Sequence, residues 1–313
     1  MNAPTPEITF ILVIGEQRQR GVECLRSLLG QSQVERMEIL IVDSSPAGTP
    51  DLAGSQHPAV RVLRLPPETP FGQQRAAGVH QAQAPLVAFI EEHCLVLPGY
   101  AEALLESYQG AWAGVCGEML NWNACEGFSD AIYLMGFAPW HPGHQSEVEM
   151  EQLVVNNSSY RRDLLLAFGP DLPHLLLAEP VLQWKLQTGG QRLCLQPRAR
   201  FAHTHETSPM GLVAYFHWHR AFGYWRAREF GWTASKRWLH VLAAPAIPWL
   251  RLARLGTYLL RHSPARLWSF LIHSPIMLLA QSAAACGQAA GLLFGLGSSE
   301  ARFTHFELNG SRM

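Results

Sequence analysis

Three side chains with metal-binding chemistry follow a short apolar strand near residue 90. Glu91, Glu92 and His93 come directly after that strand, and a helix is predicted to begin near Pro98. Carboxylate oxygens and an imidazole nitrogen this close together suit manganese or a similar divalent ion. A Glu-Glu-His loop is also a common form of solvated surface, so the triplet predicts a cation site only together with the elements that position it.

Strand-like and helix-like segments alternate over the first 120 residues. Apolar, β-rich runs predict four strands, at residues 8–14, 38–42, 60–65 and 86–90. Apolar residues at helical spacing predict helices over residues 18–30 and 71–84. This alternation favours an α/β fold with a mostly parallel sheet and helices on both faces. Ligands bind beyond the carboxyl ends of strands in such sheets, and both Asp43 and the triplet fall at such ends.

Charge is distributed unevenly along the chain. The net charge is −1, but residues 230–299 contain no Asp or Glu and six of the 24 basic residues. The rest of the chain is therefore acidic, which argues against nucleic-acid binding.

The six cysteines form no CxxC pair and lie mostly in apolar runs, which is typical of reduced cysteines in the cytosol. No basic region precedes the first apolar stretch, so no signal peptide is expected.

Four sequence blocks, in order, resemble the family 2 glycosyltransferases over roughly residues 8–205. The first joins an opening strand and helix, ITFILVIGEQRQRGVECLRSLLGQ, to a strand ending in Asp, EILIVDSSP. The second is FGQQRAAGVHQAQAPLVAFIEEHCLVLPGY, in which a helix carrying Arg and Gly leads into the acidic triplet. The third is NNSSYRRDLLLAFG and the fourth LAEPVLQWKLQTGGQRLCLQPRARFAH. By this resemblance the chain is identified as a member of that family, which has the GT-A fold.

The resemblance implies a site for a nucleoside diphosphate sugar and a divalent cation, manganese or magnesium. Glu91, His93 and His203 would hold the cation, which stabilises the departing diphosphate. Glu179 would be the general base that deprotonates the acceptor hydroxyl during an inverting transfer. The residues expected to bind the sugar nucleotide are Gly15, Glu16, Asp43, Arg75, Glu91, Glu92 and Arg220.

The chain departs from the family pattern at two places. The usual Asp-x-Asp triplet is Glu91-Glu92-His93, and the usual Glu-Asp pair is Ala178-Glu179, which leaves one carboxylate instead of two. Simpler roles also remain open for several candidates. Glu179 before Pro180 suits a helix N-terminus, Asp43 a turn cap, Arg75 a surface ion pair, His203 a buried hydrogen-bonded histidine, and Asn156 and Asn157 caps.

The C-terminal part differs in amino-acid composition, and a boundary is predicted between a catalytic domain, residues 1–229, and a helical region, residues 230–313. Tryptophans beside basic residues in an acid-free segment suit the surface of an anionic membrane. Residues 276–296 are long enough to span a bilayer but contain Gln281 and Gln288. Gly287, Gly291 and Gly295 lie four apart, which permits close helix packing. The alternative is a helical lid on the catalytic domain.

Together these features predict an inverting, metal-assisted glycosyltransferase at the cytoplasmic face of the cell membrane. It would move a sugar from a nucleoside diphosphate sugar to a saccharide or lipid-linked acceptor, for a surface polysaccharide or a glycolipid. Two alternatives stay open. One is a non-catalytic relative that binds a sugar nucleotide, and the other is a membrane-anchored assembly partner.

Overall fold

The first apolar runs of the sequence form the centre of a β-sheet. The structure is a computed structural model that describes residues 5–310 apart from residues 127 and 206. Every residue of the strands at Ile8–Ile14 and Met37–Asp43 is buried, as continuous apolar runs predict for strands covered on both faces. The two strands pair in parallel, with Ile11 opposite Leu40.

Nine strands form one mixed sheet within the described ranges. They are β1 (Ile8–Ile14), β2 (Met37–Asp43), β3 (Val60–Arg64), β4 (Leu86–Glu91), β5 (Cys94–Val96), β6 (Gly114–Asn121), β7 (Val148–Glu149), β8 (Ser158–Arg161) and β9 (Leu193–His203). Their order is β3-β2-β1-β4-β8-β6-β9-β5, and β7 pairs with β9. Strands β1 to β4 are mutually parallel, whereas β8 is antiparallel to both β4 and β6. The predicted α/β sheet is confirmed, with a parallel part that ends at β4.

Twelve α-helices connect or follow these strands in the part of the chain that the structure describes. They are α1 (Arg18–Leu29), α2 (Phe71–Gln81), α3 (Tyr100–Ser107), α4 (Ser129–Phe137), α5 (Arg162–Leu166), α6 (Leu172–Leu177), α7 (Glu179–Thr188), α8 (Met210–Glu229), α9 (Ala234–Ala243), α10 (Ile247–His262), α11 (Leu267–Phe294) and α12 (Ser299–Asn309). The segment 121–151, which lacks a clear sequence pattern, contains α4 and the short strand β7.

The chain forms two compact units. The first, the sheet unit, contains the described residues up to 120, residues 140–203 and residues 308–310. The second, the helical unit, contains residues 121–139 and 204–307, apart from the two positions not described. Helix α8, which the predicted boundary at residue 229 assigns to the catalytic part, therefore belongs to the helical unit.

The helical unit is held together by small residues and an apolar core. A Cβ atom at Gly287 would lie 2.4 Å from the carbonyl oxygen of Phe216, and one at Gly291 would lie 2.2 Å from that of Arg220. Helices α8 and α11 therefore approach closely, as the glycine spacing predicts. A separate buried cluster joins α4, α10 and α11 through Ala131, Leu134, Leu252, Leu259 and Met277.

Candidate metal centre

Strand pairing within the sheet unit brings together three side chains from distant parts of the sequence. Glu91 is the last residue of β4, and β5 pairs antiparallel to β9 with Cys94 opposite His203. That register places His93 beside His203, and their Nε2 atoms are 3.1 Å apart. Oε2 of Glu91 lies 3.3 Å from Nε2 of His203 and 3.6 Å from Nε2 of His93.

The three ligand atoms have the spacing that a shared cation requires. One atom from each of Glu91, His93, Cys94 and His203 lies within 4.8 Å of the others. Two ligands about 2.1 Å from one ion are about 3.0–3.4 Å apart in common coordination geometries, which agrees with the 3.1 Å between the two imidazoles. The residues present therefore fit a divalent cation, with the predicted ligands Glu91, His93 and His203 brought together.

Electrostatics favours the ligating forms of two of these groups. Burial lowers the pKa of His93 to about 4, since a charged imidazole is disfavoured away from water. Burial acts to raise the pKa of Glu91, but the charge of His93 and hydrogen bonds from His203 and Asn156 outweigh it and lower that pKa to about 2. At neutral pH the cluster therefore offers a neutral His93 and an ionised Glu91, the forms that bind metal.

Two consecutive asparagines hold the Glu91 carboxylate in place. Asn156 donates from Nδ2 to Oε1 at 2.8 Å, and Asn157 donates from Nδ2 to Oε2 at 2.7 Å. The amide of Glu91 donates in turn to Oδ1 of Asn157 at 3.1 Å. Asn156 has a φ of 66°, a conformation that asparagine tolerates better than most residues. Sequence reasoning left these residues as possible caps, although they open the third resembling block.

Glu179 is enclosed rather than open to an acceptor. Its side chain has 0% exposure at the first turn of α7. Oε2 accepts from Arg75 at 3.0 Å and from the backbone amide of Asn156 at 2.7 Å, and Oε1 accepts from the hydroxyl of Tyr160 at 2.6 Å. Both oxygens are therefore occupied and the side chain has no exposed surface in this conformation. The structure shows Glu179 positioning the backbone of Asn156, and its role as the general base stays a prediction.

Arg75 also differs from its predicted role. It is fully buried, its guanidinium donates to Glu179, Asn156 and the carbonyl of Leu176, and it lies 4.0 Å from the ring centroid of Phe89. It therefore neither forms a surface ion pair nor presents its charge to a diphosphate.

Asp43 at the end of β2 has the turn-capping role that the sequence left as its alternative. Its Oδ1 accepts from the amide and hydroxyl of Ser45 at 3.0 and 2.6 Å. Its Oδ2 lies 2.9 Å from guanidinium nitrogens of both Arg18 and Arg64. Burial opposes ionisation, but these hydrogen bonds and charges outweigh it and lower the pKa of Asp43. A nucleobase would have to compete with these partners.

Glu92 lies near the end of β1, where the backbone of Gly15 approaches its carboxylate. Glu92 is 4% exposed, and its oxygens accept no hydrogen bond of ordinary geometry from the residues that the structure describes. Burial raises its pKa to about 8, although the charge of Arg20 and the nearby amide of Gly15 act in the opposite direction. Gly15 packs against Leu308, whose carbonyl oxygen would lie 2.5 Å from a Cβ at that position. Contacts of Gly15 and Glu16 with a sugar nucleotide stay predictions.

Arg220 belongs to the helical unit and has a structural partner there. Its Nε donates to the carbonyl of Gly295 at 2.9 Å, at the C-terminal end of α11. That carbonyl ends a helix, so a cation beside it is stabilising. The predicted contact of Arg220 with the diphosphate stays a prediction.

Comparisons with known proteins show which family and which solved structures the chain resembles. Residues 16–161 match the model of glycosyl transferase family 2. A mannosyltransferase from Pyrobaculum calidifontis, solved with GDP-Man and Mn²⁺, has a TM-score of 0.51 and 14% identity over 88% of each chain. GalNAc-T7, solved with UDP, GalNAc and Mn²⁺, has a TM-score of 0.49 and 12% identity over 64% of this chain. This chain covers 43% of the GalNAc-T7 chain. No curated protein sequence matches.

Proposed function

We propose that the chain, whose residues 16–161 match the model of glycosyl transferase family 2, transfers a sugar from a nucleoside diphosphate sugar to a hydroxyl acceptor with the help of a divalent cation. One observation carries this proposal: Glu91, His93 and His203 converge at the carboxyl end of a central parallel strand. Sugar nucleotides and their cations bind at that edge of such sheets.

The ligand chemistry favours manganese over magnesium. Two imidazole nitrogens beside one carboxylate are softer than an all-carboxylate triplet, and Mg²⁺ prefers oxygen ligands in near-ideal octahedral geometry. The structural neighbour from Pyrobaculum calidifontis was solved with Mn²⁺, in agreement with this preference. When bound, the cation supplies a positive charge that stabilises the departing diphosphate.

The protein's own residues then have distinct tasks. Asn156 and Asn157 fix the orientation of Glu91, and the low pKa of His93 keeps its imidazole neutral. Glu179 holds the Asn156 backbone and Arg75 in place, so it supports the site without taking part in proton transfer. We place the acceptor hydroxyl opposite the leaving diphosphate, so that a single displacement inverts the anomeric carbon. The bond between that carbon and the diphosphate breaks as the bond to the acceptor oxygen forms, and the acceptor proton passes to solvent water.

The C-terminal half of the chain supports a proposal for the acceptor and the cellular location. Segment Pro264–Phe294 is long and apolar enough to cross a membrane, although half of its most apolar 18-residue stretch is buried. We propose a saccharide or lipid-linked acceptor at the cytoplasmic face of the cell membrane.

One observation favours a second candidate, a relative that binds a sugar nucleotide without transferring the sugar. The carboxylate expected to be the base, Glu179, is closed off by Arg75 and Tyr160. In that case the cation and the nucleotide would still bind at Glu91, and no sugar would be released.

A turnover assay separates the two candidates. The full chain is incubated with a panel of UDP- and GDP-sugars, with Mn²⁺ or with EDTA, and release of the nucleoside diphosphate is measured. We expect Mn²⁺-dependent release from at least one donor, lost in Glu91→Gln and retained in Glu149→Gln, an exposed carboxylate of the same unit. Binding without release under every condition would establish the second candidate, and ¹H NMR of the product anomer tests inversion.

A further inference from the structure

Helix α11 exposes an apolar face along most of its length. Residues 268, 271, 272 and 279 follow the three- and four-residue spacing of one helix face, and residues 286 and 293 continue the same line. Trp268 is 72% exposed and Leu279 is 53% exposed. Residues 267–299 contain no charged side chain. The α11 face consists of Trp268, Leu271, Ile272, Leu279, Cys286 and Leu293.

The two preceding helices expose apolar side chains as well. None of the ten residues of α9 is buried, and Leu242 on that helix is 75% exposed. A large exposed apolar patch on a protein usually marks a site of interaction with another molecule. The exposed large apolar residues on these helices are Trp238, Leu239 and Leu242 on α9, and Trp249, Leu250 and Leu260 on α10.

The charges around these side chains have one sign. Lys236, Arg254 and Arg261 are exposed, and residues 230–299 contain no Asp or Glu. A protein partner whose surface carries charges of both signs is not specifically attracted to a segment without acidic residues. An anionic lipid surface is attracted to it, because basic residues attract the headgroups while tryptophan and leucine enter the boundary between headgroups and acyl chains.

The opposite side of α11 determines how the helix meets the lipid. Gln281 accepts a hydrogen bond from Arg251 at 2.7 Å, and Gln288 accepts one from Arg226 at 3.2 Å. Gly287 and Gly291 pack directly on the backbone of α8. If α11 crossed the bilayer in this arrangement, both arginines would enter the hydrocarbon region, where charged side chains are costly.

We propose that the exposed apolar side chains of α9, α10 and α11 form a docking surface for an anionic lipid bilayer, with α11 lying in the plane of the membrane rather than crossing it. This surface belongs to the helical unit and binds lipid without nucleotide, cation or sugar. An experiment in which the surface fails to bind lipid is therefore distinguishable from one in which the proposed sugar transfer fails.

Vesicle flotation of the full chain tests the surface. We expect binding to vesicles of phosphatidylcholine with phosphatidylglycerol that is at least about tenfold tighter than binding to phosphatidylcholine alone. The double variant Leu271→Ser/Ile272→Ser should lose binding, and Arg254→Glu/Arg261→Glu should weaken it at least about tenfold. Trp122→Ser is the matched control, since Trp122 is 62% exposed but lies outside these helices, and it should bind as the wild type does.

Two results of that experiment would overturn the docking surface. One is a wild-type chain that floats with neither vesicle, and the other is a Leu271→Ser/Ile272→Ser variant that binds like the wild type. Thermal unfolding followed by circular dichroism checks that the variants fold. Sedimentation velocity without lipid covers a third outcome: a dimer that Leu271→Ser/Ile272→Ser dissociates would assign the face to a second copy and overturn the proposal.

Probe depth tests the in-plane orientation. Cys286 and Cys125 are exposed and the four remaining cysteines are buried, so a Cys125→Ser background allows a fluorophore at Cys286. The second position is Leu271→Cys in a chain that also carries Cys286→Ser. The two positions lie about 22 Å apart along α11. We expect lipids spin-labelled near the headgroup to quench the fluorophores at the two positions equally. Clearly different depths of the two fluorophores would show a crossing helix and contradict the in-plane arrangement.

Discussion

Two carboxylates of the sheet unit, Glu91 and Glu179, share a neighbour and have opposite surroundings. Asn156 donates from its side chain to Glu91 and from its backbone to Glu179. Around Glu91 the other neighbours are an amide and two imidazoles. Around Glu179 they are a guanidinium and a phenol. No guanidinium or ammonium group contacts Glu91 among these neighbours, which leaves a place for a cation there, whereas Arg75 already supplies the positive charge at Glu179.

The contrast shows that the chemistry of a buried carboxylate depends on its partners more than on its residue type. At Glu91 a bound cation would add the positive charge that the site lacks. At Glu179 the charge is present in the fold, and its removal leaves an unpaired guanidinium. The first carboxylate is therefore expected to control ligand binding and the second to control stability.

The largest expected effect is on stability at Glu179. Glu179→Ala leaves Arg75 buried without a counter-charge, and breaking such a pair costs about 3–5 kcal/mol. Urea denaturation measures this loss in the free energy of unfolding. Glu149→Ala is the matched control because it also removes a glutamate paired with an arginine, Arg192, but the pair is exposed. Its free energy of unfolding should stay nearly unchanged.

The isosteric variant Glu179→Gln decides between positioning and catalysis. A positioning role predicts lower stability together with weaker cation binding, through the displaced Asn156 backbone. Normal stability and normal nucleotide binding with abolished turnover would restore Glu179 as the general base and remove the contrast with Glu91.

The next effect concerns the orientation of Glu91. Asn157→Ala removes a donor to the carboxylate and an acceptor for the Glu91 amide. Partners of metal ligands typically contribute 10–100-fold to metal affinity, so the Mn²⁺ dissociation constant should rise by about that factor in calorimetry. Gln83→Ala, an exposed amide of the same unit, should leave it unchanged. An unchanged affinity in Asn157→Ala would show that Glu91 is held without this residue.

The parallel strands and the position of the Glu91-Glu92-His93 triplet were predictable from local sequence. Strand β1 has the predicted bounds 8–14, and the strands predicted at 38–42 and 86–90 are each extended by one or two residues. Continuous apolar runs determine such strands because both faces are covered. The triplet at 91–93 was recognisable because it follows one of these strands directly.

The surroundings of Glu179 were not predictable in the same way. Arg75 and Glu179 are separated by 104 positions, and Arg75 lies on a helix whose residues suggest a surface. No periodicity relates an arginine to a carboxylate across that distance; only the packing of α2 near α6 and α7 does. The roles of Asn156 and Asn157 depend likewise on β8 pairing antiparallel to β4, which a pattern of alternating strands and helices does not indicate.

The last effect, which depends on pH, is expected at Glu92. Its pKa is raised to about 8 by burial, so between about pH 4.5 and 8 the folded state keeps a proton that the unfolded state releases. Its contribution to stability therefore falls as pH rises through this window and is constant above it. Glu92→Gln should gain stability relative to the wild type between pH 5 and pH 8.5 in urea denaturation. Parallel pH profiles of the two proteins would show that Glu92 is ionised and solvated.

Calorimetric titration with nucleotide tests the role of the Glu91 cluster most directly. The wild type is titrated with UDP and with GDP, each with and without Mn²⁺, and so are His93→Ala and the control His80→Ala, an exposed histidine on α2. We expect Mn²⁺-dependent binding of one nucleotide in the wild type and in His80→Ala, and its loss in His93→Ala. Binding that is equally tight without Mn²⁺, or unchanged in His93→Ala, would contradict a cation centre at Glu91, His93 and His203.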